Sequence, residues 1–73
     1  MIPVELVARL AELYDRYNNA LDPLSENARN AKRDFDALMN SLHSARAAEV
    51  DFLEFRYELI RLCRDYLRRN PHS

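Results

Sequence analysis

From Asp51 to Arg69 the apolar residues recur at a helical interval. At 100° per residue, Phe52, Phe55, Leu59, Leu62 and Tyr66 fall on one line, and Leu53, Ile60, Cys63 and Leu67 on the line beside it. The pattern predicts a helix over 51–69 with an apolar arc roughly 180° wide, against the arc of about 100° that a surface helix needs. A helix with so broad a face must meet more than one neighbour.

Two other periodic segments precede it. Helix 1 is expected over 3–21, with Leu6, Leu10, Leu13, Tyr14, Tyr17 and Leu21 as its buried stripe and Val7 at the margin. Pro3 suits a first helical turn, because its ring presets φ and its missing N–H is not needed there. Glu5, Arg9, Glu12, Arg16 and Asn19 then face water. Glu5 with Arg9 and Glu12 with Arg16 stand at i,i+4 and stabilise the helix by a few tenths of a kcal/mol each. Asp22-Pro23 breaks the pattern, since proline disfavours helical backbone in the residue before it. Asp22 is placed to cap a second helix that begins with Pro23. That helix is expected over 23–43 on Leu24, Ala28, Ala31, Phe35, Leu38, Met39 and Leu42, its alanines permitting a close approach.

The second break lacks punctuation: no Gly or Pro stands between Leu42 and Phe52. Ala31, Leu38, Ala45, Phe52, Leu59 and Tyr66 are each seven apart, so a helical hairpin with one long helix over 23–69, paired in a dimeric coiled coil, is an alternative. The interleaved heptad position argues against it, running Ala28, Phe35, Leu42 and then Glu49 and Arg56. Asp51 and Glu54 have capping-box spacing, and Val50 and Phe55 stand where a hydrophobic staple places its pair. A break within 43–50 gives an all-α, up-down-up three-helix bundle. Asn70-Pro71-His72-Ser73 stops helix 3 and should fray.

Composition sharpens this picture. The 73 residues make a single helical domain with a small core, so self-association as a dimer through helix 3 is expected. The chain has no glycine, which opposes sheet with its tight turns. One cysteine excludes an intrachain disulfide and an all-cysteine zinc site. No charged start with an apolar core opens the chain, and no long apolar run appears, so a soluble, cytoplasmic protein without a membrane partner is expected. The net charge of −1 offers no global field for nucleic acid. Its distribution is uneven: Glu5, Glu12, Asp15, Asp22 and Glu26 outnumber Arg9 and Arg16 in residues 1–26, whereas Arg61, Arg64, Arg68 and Arg69 outnumber Asp65 in residues 61–73.

Candidate chemistry is thin. The run from His43 to Phe55, HSARAAEVDFLEF, resembles the loop and exit helix of an EF-hand, with Val50, Glu54 and Phe55 at the small-sheet residue, the final bidentate Glu and the first exit-helix Phe. Its early ligand positions hold His43, Ala45 and Ala47, and the glycine position holds Ala48. A hard cation needs six to eight oxygens, so the run reads as a helix cap and no calcium is expected. His43 shares a side of helix 2 with Asp36 and Asn40, too few ligands for a closed site, and reads as part of a solvated face. Cys63 lies inside the apolar arc and reads as core. Asp34, Asp36, Glu54 and Glu58 form no converging acid pair, so neither catalysis, metal nor cofactor is expected.

Two features point to binding. Arg56 sits among Phe52, Leu59, Ile60 and Cys63, where an unpaired guanidinium is costly. It either pairs with an acid of another helix or marks an interface. Tyr57, Arg61, Arg64 and Arg68 share a stripe beside the arc. The function expected is a small non-enzymatic protein–protein interaction module (an adaptor, chaperone-like or inhibitor protein) working through a helix face, with these five residues at the contact. The alternative is a nucleic-acid-binding accessory protein that tracks phosphates with the arginines and stacks Tyr57 on a base.

Overall fold

Pro3 ends the extended entry to α1 (Val4–Asn18), and its carbonyl accepts the Leu6 and Val7 N–H groups at 3.0 and 3.2 Å. The computed structural model describes residues 2–71. In it α1 is followed by α2 (Glu26–Arg46) and α3 (Phe52–Arg69), an all-α three-helix bundle with no strand among the described residues. No helix of the described residues is long and apolar enough to cross a membrane.

The first break runs longer than the spacing suggests. α1 stops at Asn18 instead of Leu21, and the Asn19 N–H closes its last turn on the Asp15 carbonyl at 3.0 Å. Asn18 and Asn19 have side chains that compete for backbone groups, which weakens the helix there. Asp22 does not cap α2. Its carboxylate accepts the Leu24 N–H at 3.0 Å, within a turn closed by Ser25 N–H to the Asp22 carbonyl. The cap is Ser25, whose hydroxyl accepts the Ala28 N–H at 3.2 Å, with Glu26 opening the helix where the dipole favours an acid. Residues 19–25 are thus spent turning the chain back along α1. Leu21 and Leu24, expected in the apolar stripes, lie outside both helices and are exposed.

The second break falls over residues 47–51. α2 continues past His43 to Arg46, so His43 and Ala45 of the EF-hand-like run lie in a helix and not in a loop. Asp51 caps α3, its carboxylate accepting Leu53 N–H at 3.1 Å and Glu54 N–H at 3.2 Å. Val50 and Phe55 both pack into the core, as a staple requires. His43 supplies what the sequence does not suggest. Its Nε2 meets the Val50 carbonyl at 2.6 Å, and its ring lies against Phe52 and Phe55, centroids 5.2 and 5.3 Å away. The ring is half-buried, not part of a solvated face. No described residue has positive φ, so the turn is made without glycine geometry.

The core joins Leu10, Ala11, Leu13 and Tyr14 to Ala31, Phe35, Met39 and Leu42, and these to Phe55, Leu59 and Cys63. Helix 1, not helix 3, is the element that packs along both others; α2 and α3 approach each other less closely. Buried alanines explain the difference. Ala11, Ala28 and Ala31 leave room for helix axes to come close, where long side chains hold them apart. Tyr14 and Tyr17 meet edge to face at 5.5 Å and both abut Phe35 at 5.8 and 5.5 Å, an arrangement that ring quadrupoles favour. α3 closes with the Asn70 N–H and its side-chain amide both on the Tyr66 carbonyl. His72 and Ser73, expected to fray, lie outside the described residues.

Candidate interaction site

α3 has more apolar surface than the core consumes. Phe55, Leu59 and Cys63 are buried, but Leu53 and Leu62, on the two lines of its predicted arc, are exposed. Leu62 looks across to the first turn of α1. Together with Tyr66 it forms one wall of a groove whose other wall is Ile2, Val4 and Val7, with Asp65, Arg69 and Asn70 along the rim. The groove has a volume of about 910 Å³. Val4 is 66 % and Leu62 46 % exposed, so both apolar walls meet water. Asp65 accepts a hydrogen bond from Arg68 and forms an ion pair with Arg69 at 3.3 Å, which keeps the rim polar.

The five residues singled out from the sequence do not form one surface of free cations. Arg56 spans from α3 to α2, where its Nη1 donates to the Asp36 carboxylate at 3.1 Å. The same guanidinium lies over the Phe35 ring, 5.5 Å from its centroid, and Lys32 holds the second Asp36 oxygen at 3.5 Å. Arg64 Nε donates to the Tyr14 hydroxyl at 3.3 Å, tying α3 to α1. Arg61 pairs with Glu58 at 3.4 Å and Arg68 with Asp65. Tyr57 is exposed.

Sequence reasoning missed the groove for a definite reason. Its walls come from opposite ends of the chain, and no periodicity links Val4 to Leu62. The one legible signal was the excess width of the α3 arc.

Titration adds little chemistry. Burial pushes the Cys63 thiol up to about 11, away from nucleophilic use near neutrality. Burial also raises the Tyr17 phenol, with the Arg56 guanidinium opposing it. No group of three or more His, Cys, Asp or Glu among the described residues is placed to hold a metal ion. No family model, curated protein or solved structure matches this chain.

Proposed function

We propose that this chain is a small non-enzymatic interaction module, an adaptor, chaperone-like or inhibitor protein of the cytoplasm, that docks partners in the groove between α1 and α3. The observation that carries this reading is the exposure of Val4 and Leu62 around one concave apolar floor. Contiguous apolar surface rimmed by polar groups is the usual physical mark of a contact site. The partners are proteins, with a second copy of the chain among them. The Arg stripe serves this reading as a solubilising flank, since Arg61 and Arg68 are neutralised by acids of the same helix.

The alternative reading, a nucleic-acid accessory protein, rests on exposed Tyr57 next to Arg61 and Arg64. It requires binding that weakens steeply with salt. Retention at 0.5 M salt would count for the apolar groove.

A photo-crosslinking side chain at position 62, with one at Lys32 as control, tests the groove in cells that make the protein. Adducts at 62 that vanish when Val4→Asp is added, with none at 32, are expected. Equal labelling at both positions, or none at 62, removes the groove from consideration.

A further inference from the structure

We propose that the groove between α1 and α3 receives the Leu21–Leu24 tip of a second copy of this chain, so that copies join tip to groove. The inference rests on the groove being a docking site and names its occupant. Leu21 is 106 % and Leu24 78 % exposed, at the turn between α1 and α2. Neither side chain belongs to the core of the described residues, yet the turn that carries them has a defined shape. Asp22 accepts the Leu24 N–H through its carboxylate and the Ser25 N–H through its carbonyl, each at 3.0 Å. Pro23 fixes its own φ between them. A projection already held in one conformation loses little freedom on docking.

Shape and charge both favour this occupant over a second groove. A concave floor is filled by a convex apolar tip, whereas two grooves face to face leave a void between them. The tip is acidic, with Asp22 beside the leucines and Glu26 at the first position of α2. The groove has Arg69 and Asp65 on its rim and adjoins Arg68, so the two arginines that share Asp65 leave one positive charge in excess at the basic end of the chain. The tip follows the last turn of α1 and the groove includes its first. Fifteen residues of helix hold them about 22 Å apart, so a chain cannot fill its own groove with its own tip. The contact is therefore between copies and joins unlike surfaces. Two leucines cover much less than the roughly 800 Å² per partner of a standard interface, so the association is weak and concentration-dependent.

The test uses two variants, neither of which alters the core. The tip variant carries Leu21→Asp and Leu24→Asp; the groove variant carries Val4→Asp and Leu62→Asp. Circular dichroism checks that both remain helical. In analytical ultracentrifugation the wild type should rise above the 8.6 kDa of one chain as concentration increases. Each variant alone should stay at that mass. Their equimolar mixture should shift toward twice it, because one intact tip then meets one intact groove. A tip variant that associates like wild type overturns the proposal in favour of groove against groove. A mixture that stays at the mass of one chain overturns it as well. A wild type that remains single through the millimolar range rejects the tip as occupant, and crosslinking at position 62 then decides separately whether the groove holds another protein.

Discussion

Arg56 is surrounded by apolar positions on α3, and its guanidinium is met within the chain by Asp36 and the face of Phe35. Both partners of this ion pair keep some contact with water, so its net contribution to stability is small. Arg56→Met retains a stem of similar length and leaves Asp36 with Lys32. Its unfolding free energy should stay within about 1 kcal/mol of wild type. Arg56→Ala should fall further, by about 0.8 kcal/mol for each buried methylene lost. Chemical denaturation of both variants checks this, and equal losses for Met and Ala would show that the charge, not the stem, matters. Cys63 sets a different expectation. Its thiol ordinarily titrates near 9.0 and in the fold near 11, so folding favours the protonated form. Below pH 9 both states hold the proton and this contribution is fully present. Between 9 and 11 the unfolded chain releases it first, and stability falls as pH rises, by about 3 kcal/mol in all. Tyr17, also raised, acts in the same direction. Denaturation midpoints at pH 8 and pH 10.5 should therefore converge more in Cys63→Ala than in wild type. That Cys63 would be buried was legible in its place on the α3 arc. The partner of Arg56 was not, because no local rule selects Asp36 from the acids of another helix.

At the scale of elements, caps decide where each helix begins. The sequence points to Asp22 as the cap of α2, yet it is Ser25, three residues on, that bonds a helical N–H of that element. Ser25→Ala should cost about 1 kcal/mol in a urea titration, and Asp22→Ala distinctly less, since Asp22 holds only a turn. The reverse order would place the start of α2 at Pro23. The end of α2 follows another logic. Ala45, Ala47 and Ala48 would let a helix run on, and the heptad spacing invites it. The Asp51 cap, the Val50–Phe55 staple and the His43 ring under the connector turn the chain instead. The cap and staple could be read from spacing. The His43 contact spans from α2 to the connector and exists only once the break has formed.

For the whole molecule the central question is which helix the others cover. Apolar width along the sequence points to α3, yet α1 lies against both neighbours and supplies Leu10, Ala11 and Leu13 to the core. Amide exchange should therefore be slowest from Leu10 to Tyr14, and faster through the last turns of α3, where one side of the helix opens onto the groove. Slower exchange across α3 than α1 would mean that the surplus apolar face is covered in solution. In a chain of this size every uncovered leucine is a sizeable fraction of the apolar total. Leu21, Leu24, Leu53 and Leu62 are all exposed, and the proposed docking role rests on three of them, Leu21, Leu24 and Leu62.

Helix class, the stripes of α1 and α2 apart from Leu21 and Leu24, and the cap of α3 were determined by sequence alone, because each depends on residues within a turn or two of one another. That the chain makes three helices, and not a hairpin with one long helix, was settled by the fold. The choice of α1 as the central helix, the pairing of Arg56 with Asp36, and the groove that sets Val4 beside Leu62 were decided only by tertiary structure. These join positions far apart in the chain. Their formation depends on how the helices pack against one another, and no periodicity records that.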